Sequence, residues 1–273
     1  MIMFSIEAAC CCHTGKIRLN NEDNFLFDGK YLPAENKGAE GVISMLRREL
    51  SSPVSFGVFD GMGGEQYGEQ AAYVAAVAFN KAIGLSTAST HDTHRKRQIK
   101  KRYGNPVELL KDACLTANSR ICGLSSEHND VRIGTTVAAM VYFDTSAWLC
   151  NVGDSKIFHI AGDRLQQLSV DHTNQDFLQR HGITDRRPAL TQHLGIMPDE
   201  MLIEPYIAQI ELNSSDIFIV CSDGLTDMLS TGEIAAVASN GTSVEERVSI
   251  LIEQSLSRGG RDNITVILCA ISG

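Results

Sequence analysis

No run of the 273-residue chain approaches the ~20 consecutive apolar residues that cross a bilayer, so a helical membrane protein is not indicated. Positive charge is in deficit. Lysine and arginine together number 24 against 33 acids, a formal charge of −9, which argues against a broad nucleic-acid surface. The one basic run, Arg95 to Arg102 (RKRQIKKR), reads as a solvated loop. Metal-ligand cysteine spacing is missing too. Cys10, Cys11 and Cys12 are consecutive, poor geometry for pairing with one another, and no C-x-x-C meets a second pair or a histidine, so zinc is not expected. Cys114, Cys122, Cys150, Cys221 and Cys269 sit inside apolar segments and read as small core residues. No charged, apolar and small-residue succession of a secretory leader opens the sequence, and a reducing, cytoplasmic setting is expected. Repeats, low-complexity tracts and linkers are lacking, which points to one domain over 1–273. Ser222 lacks a G-x-S-x-G elbow, so a serine hydrolase is not indicated.

What the chain does contain is an apolar run, Ser55 to Phe59, that ends abruptly in Asp60, Gly61, Gly63 and Gly64. Aromatic, β-branched and small residues suit a strand packed on both faces, and the glycines let main-chain carbonyls approach whatever Asp60 holds. Asp-Gly is also a common hairpin signal, and at this one site a tight turn is the plainer reading. The arrangement recurs: Asp216 to Ser222 is a second apolar strand ending in Asp223-Gly224, and Asp262 stands at the entry to a last strand.

Elsewhere, Ile2 to Cys12 predicts a first strand, and Asp28 to Pro53 an excursion with a short helical piece over Ile43 to Leu50. Leu85 to Asn105 reads as a mobile surface loop. Asn105, Pro106 and Glu108 give the best helix start in the chain, followed by Val107, Leu110, Cys114, Ala117 and Ile121 at helical spacing. From Gly134 to Leu168 the period is two, with turns at Asp144-Thr145, Gly153-Asp154 and Gly162-Asp163, which predicts an antiparallel meander. Asp171 to Gly195 is polar and irregular, a candidate lid. Helices are expected over Leu225–Leu229, Glu233–Ser239 and Val244–Leu256.

Acids at strand ends or in the loops joined to them are Glu22, Asp23, Asp60, Asp154, Asp223 and Asp262, with no histidine or cysteine at ligand spacing. An all-oxygen set suits Mg²⁺ or Mn²⁺ rather than Zn²⁺, and several carboxylates share one pocket only when cations offset their repulsion. Sequence alone does not bring them together.

The ordered motifs R-x-x-x-E-D (Arg18 to Asp23), F-D-G-M-G-G (Phe59 to Gly64), G-T-T (Gly134 to Thr136), V-G-D-S (Val152 to Ser155), D-H-T (Asp171 to Thr173), S-D-G-L (Ser222 to Leu225) and R-D-N (Arg261 to Asn263) cover nearly the whole chain. In that order they resemble the metal-dependent Ser/Thr protein phosphatases of type 2C. The resemblance implies an α+β fold, a four-layer α-β-β-α sandwich of two antiparallel sheets flanked by antiparallel helix pairs, with metals at one end. It implies Asp60 bridging two ions of Mn²⁺ or Mg²⁺, Gly61 giving a carbonyl ligand, and Asp223 and Asp262 completing one shell. Glu22 and Asp23 match positions that hold metal-bound waters, Asp154 one that helps bind a third, weaker ion, and Arg18 the side chain that grips the substrate phosphate. Asp60, Asp154 and Arg18 are thus the expected catalytic residues. Phosphoproteins made by a Ser/Thr kinase are the implied substrates, for a monomer. Met62 replaces the histidine of eukaryotic members, as in bacterial ones, so no general acid comes from there. His172 reads as shaping its loop; His13, His181 and His193 have no partner at informative spacing. The alternative is a catalytically weak member that binds phosphoproteins as a regulatory module.

Overall fold

The computed structural model describes residues 3–39, 41–63, 67–84, 105–129, 131–162 and 164–273. The basic run Arg95 to Arg102, nearly all of the Leu85 to Asn105 loop, Gly64 and the Asp163 turn position lie outside the described residues.

Two antiparallel sheets face each other. The first has the order β3-β1-β12-β11-β8-β9, built from β1 (Ser5–His13), β3 (Ile43–Arg47), β8 (Lys156–Ala161), β9 (Arg164–Gln167), β11 (Ile217–Cys221) and β12 (Ile264–Ser272). The second runs β10-β7-β6-β4-β2, from β2 (Asp23–Phe27), β4 (Val54–Met62), β6 (Val137–Phe143), β7 (Ser146–Val152) and β10 (Tyr206–Glu211), with β5 (Gly134–Thr135) paired to the end of β4. Alternation along each strand sends successive side chains to opposite faces. Phe56 and Val58 of β4, Phe25 and Phe27 of β2, and Phe218 and Ile267 of the other sheet therefore fill the space between sheets. Phe59 and Leu26 turn outward under α1 (Gly68–Gly84) and α2 (Pro106–Glu127). On the opposite face, Ile219, Val266 and Leu268 pack under α4 (Asp223–Thr226), α5 (Thr231–Ala238) and α6 (Val244–Ser257). The four-layer order is thus helices, sheet, sheet, helices, as the sequence resemblance implied.

β4 is buried along both faces, as its composition predicts. The eight cysteines are free and buried, as expected of small core residues. Asn105 caps α2 by accepting from the Glu108 amide. Three expectations need correction. Ile43 to Leu50 is not helical: β3 pairs Met45 with Ala8 on the edge of the first sheet, and its exposure alternates with period two. The meander breaks at Gly153-Asp154, where β7 belongs to one sheet and β8 to the other; Gly153 takes φ 101°, and a Cβ there would lie 2.7 Å from Thr136 Cγ2. Asp171 to Gly195 contains a short helix, α3 (Gln175–Arg180), and is tied to β5 through Thr135 and Leu194. The edge strand β10 has no counterpart in the sequence reading. No helix among the described residues is long and apolar enough to cross a membrane.

Candidate active site

β2 and β4 pair so that Asp23 lies directly opposite Asp60. Both share the parity of Phe25 and Val58, so both carboxylates point toward the other sheet at one end of the sandwich. Like charges directly opposite each other are unfavourable in a sheet, and this pair needs compensation. From the facing sheet come Asp223, just past β11, and Asp262, just before β12. The crossover at Gly153 brings Asp154. A cavity of about 450 Å³ collects Arg18, Glu22, Asp60, Gly61, Met62, Asp154, Asp223 and Asp262 on its wall, together with Thr136, Leu190 and Asn263. The larger cavity of about 860 Å³ between α1 and α2 contains none of these acids.

Asp23 is not part of that wall. It lies beneath, 1% exposed, with Oδ2 accepting from Ser222 Oγ at 2.8 Å and Thr265 Oγ1 at 2.6 Å, both from the opposite sheet. Burial raises its pKa to about 7, and the charges of Asp223 and Asp262 push the same way while the two hydroxyls oppose it. Asp60 is raised well above the carboxylate range, first by burial and then by Asp23, Asp223, Asp154 and Asp262. Asp223 rises to about 7 through burial and the charges of Asp154, Asp227 and Asp262. Burial also raises Glu22 and Asp154, the latter opposed by Lys156.

The cation within the cavity wall is Arg18, whose Nη2 sits 2.7 Å from Asp262 Oδ2 with its side chain 54% exposed. Five acidic side chains against one arginine form a donor set short of positive charge, all of it oxygen. Divalent hard cations fit that chemistry. Among the described residues no three acids form a ready cage around one point. Gly61 fits as well: a Cβ there would lie 2.2 Å from the Gly68 carbonyl oxygen and 2.5 Å from that of Glu22, so only glycine lets the chain pass.

Small polar residues that the sequence reading gave no role hold this framework. Thr136 Oγ1 accepts the Asp60 amide at 3.1 Å, while the Asp60 carbonyl accepts from the Thr136 amide at 2.9 Å and from Thr135 Oγ1 at 3.0 Å. Thr136 Oγ1 also lies 2.6 Å from Ser155 Oγ, linking the two sheets. Asn263 fastens the Arg18 loop, with Oδ1 accepting from the Glu22 amide and Nδ2 donating to the Thr14 and Asn20 carbonyls. The G-T-T, V-G-D-S and R-D-N motifs contain all four of these residues, so the signal was present without a role attached to it. His172 accepts the Gly153 amide on Nδ1 at 3.1 Å and shapes that turn; burial lowers its pKa, which favours the neutral acceptor form.

A second cavity of about 350 Å³ shares Asp154 and Asp223 with the first and adds Lys156, Asp171, Arg187 and Arg261. Lys156 pairs with Asp171 at 2.5 Å, and Arg187 approaches Asp227 at 3.7 Å. The Asp171 to Gly195 segment thus stands beside the acids, with Leu190 on the first cavity and Arg187 on the second.

The model of the family described as Protein phosphatase 2C matches residues 47–258. The serine/threonine phosphatase stp of Listeria innocua is 28% identical over 267 residues, covering 93% of this chain and 91% of that protein. The crystal structure of the Mycobacterium tuberculosis serine/threonine phosphatase PstP/Ppp superposes with a TM-score of 0.74 at 23% identity, over 98% of this chain and 100% of that one. The PstP catalytic domain in complex with two manganese ions gives 0.73, also at 23% identity, over 99% and 100%.

Proposed function

Because the chain belongs to the protein phosphatase 2C family, we propose that it hydrolyses phosphoserine and phosphothreonine in proteins with the aid of divalent metal ions. The observation that carries this reading is the crowding around Asp60, whose carboxyl is buried among four others. Asp60, Asp223, Asp262 and the Gly61 carbonyl are the proposed ligands of two ions, Mn²⁺ or Mg²⁺; Glu22, on the cavity wall, would order water around them, Asp23 would support that shell from beneath, and Asp154 would help hold a third. Bound there, such ions polarise phosphoryl oxygens and make water a nucleophile at neutral pH.

The chain's own residues do the rest. Arg18 presents a planar fork of donors at the mouth of the cavity, suited to a phosphate that displaces its contact with Asp262. Thr135 and Thr136 fix the Asp60 backbone from both sides, so the carboxylate is placed before substrate arrives. Met62 has no proton to give a departing alkoxide, which leaves that step to the Asp154 side of the cavity. The second cavity, with Arg187 and Arg261, supports reading the Asp171 to Gly195 segment as the part that chooses among phosphoproteins. One inter-sheet core, lined by both sheets, supports treating 1–273 as one domain.

The test is hydrolysis of an aryl phosphate and of phosphopeptides with and without Mn²⁺, together with calorimetric Mn²⁺ binding, for the wild type and Asp60→Asn. Activity is expected to need the ion, to vanish with chelator and to be almost absent in Asp60→Asn. Full turnover in metal-free protein would sink the reading. A folded wild type that binds Mn²⁺ and hydrolyses nothing would point instead to a phosphoprotein-binding module.

A further inference from the structure

We infer that Asn263 is a positioning residue: it holds the loop from Thr14 to Glu22 closed, and through that loop it places Arg18 for the substrate phosphate. The inference rests on the phosphatase reading for its purpose, though not for its geometry. Arg18 is near the middle of the loop, and both ends of the loop are tied to one side-chain amide. Nδ2 donates to the Thr14 carbonyl at 2.8 Å on the incoming side and to the Asn20 carbonyl at 3.0 Å on the outgoing side. Oδ1 accepts from the Glu22 amide at 2.8 Å. Asn263 is 5% exposed, so its end of all three bonds is buried, while the loop ends are part-buried.

Only a primary amide supplies two donors and an acceptor in one plane at this length. Aspartate would turn an oxygen toward the Thr14 and Asn20 carbonyls, and alanine would leave three backbone groups without partners. Other tethers are the Lys16 amide donating to the Gly260 carbonyl at 2.7 Å, the Gly61 amide donating to the Glu22 carbonyl at 3.1 Å, and the ion pair between Arg18 and Asp262, whose Arg18 side chain is 54% exposed and contributes little order; none of the three holds both sides of Arg18 at once. Bonds from a buried amide to backbone groups are costlier to leave unmade than an exposed ion pair. The site fixes Asn263 in turn. Its own amide donates to Asp262 Oδ1 at 2.9 Å, and the absence of a side chain at Gly224 admits its carbonyl, since a Cβ there would lie 2.0 Å away. Gly15, at φ 84°, brings the loop equally close to the Asp262 carbonyl. Asn263 thus registers the Arg18 loop on the start of β12, alongside the Lys16 amide's bond to the Gly260 carbonyl and the Arg18–Asp262 pair.

Two measurements test this. In Mn²⁺-loaded protein with an aryl phosphate, Asn263→Ala is expected to lower kcat/KM by on the order of 10²-fold, mainly through KM, as a misplaced binding group does. The same change in an Arg18→Ala background is expected to add little, because the group it positions is gone. Losses that multiply in the double variant would overturn the inference. Hydrogen exchange of the folded single variant, or of Asn263→Asp if alanine does not fold, supplies the second measurement. Faster exchange confined to residues 14–22, with β1 and β12 still protected, is the expected result. Unchanged exchange over 14–22, or protection lost across both strands as well, would overturn it. If the wild type proves to have no phosphatase activity, the functional reading fails while exchange still decides the role of Asn263.

Discussion

Replacing Asp23 with asparagine is expected to stabilise the metal-free protein at neutral pH while weakening its hold on divalent ions. Asp23 is 1% exposed, and one of its oxygens accepts from Ser222 and Thr265. Asparagine offers a carbonyl oxygen in the same place, so both hydroxyls keep a partner while the charge is removed and an amide NH2 takes the place of Oδ1. Burial, reinforced by Asp223 and Asp262, raises this carboxyl from 3.8 to about 7. A difference of about 3 in pKa corresponds to about 4 kcal/mol for one proton. The unfolded chain gives up that proton near pH 4, the folded chain only near 7. Between those values unfolding releases a proton, so the stability this group contributes is fully present below about pH 4 and is lost as pH rises through about 7. The loss is large beside the 5–15 kcal/mol that holds a typical domain. Chelator-treated wild type and Asp23→Asn should therefore be similarly stable in urea near pH 4 and diverge upward, the variant leading by up to about 4 kcal/mol at pH 8. Added Mn²⁺ should stabilise the wild type more than the variant. A difference between the two proteins that does not vary with pH, or a variant less stable than wild type at pH 8 without metal, would refute the reasoning.

Arg18→Ala should mainly raise KM for aryl phosphates, and unchanged kinetics would make Arg18 a surface residue. Asp154→Ala, assayed per folded molecule, should slow phosphoserine and phosphothreonine peptides far more than aryl phosphates, because an alkoxide needs a proton on leaving and an aryl oxide scarcely does; a uniform loss would remove the reason for a third ion there. Gly61→Ala places a Cβ 2.2 Å from the Gly68 carbonyl oxygen, and should cost about 1–3 kcal/mol in thermal or urea denaturation along with Mn²⁺ affinity; native stability in that variant would contradict the packing.

The strand that delivers Asp60 was legible because a run buried on both faces differs in composition from everything around it, and α2 because Asn105, Pro106 and Glu108 announce its start. Pairing was not. A period of two says that β7 and β8 are strands but is silent about which partner each takes, so the change of sheet at Gly153 could not be read. Ile43 to Leu50 mixes apolar and charged residues in a way that serves either period, and only its partnership with β1 settles it as a strand. The acids could be named from their places at strand ends and loops, yet the opposition of Asp23 to Asp60 is a fact of register. Thr136, Ser222, Thr265 and Asn263 carry no periodic signature; what they do is set by neighbours more than a hundred residues away in three of the four cases and seventy-six away for Thr136 and Asp60.

Thr136 with Ser155, and Asp23 with Ser222 and Thr265, are polar bridges between sheets whose shared core is apolar. The acids of the cavity come from both sheets, Asp60 from β4 of one and Asp223 and Asp262 from the ends of β11 and β12 in the other, so the spacing of the cavity follows the spacing of the sandwich at that end. A methylene added or removed at Val58 or Val220, inter-sheet core residues two and three positions from Asp60 and Asp223, is expected to change the gap between those acids without touching either. The catalytic end thereby acts as a gauge of core volume. Evolution can tune its affinity for ions of different radius from within the apolar interior, leaving the acids themselves as they are.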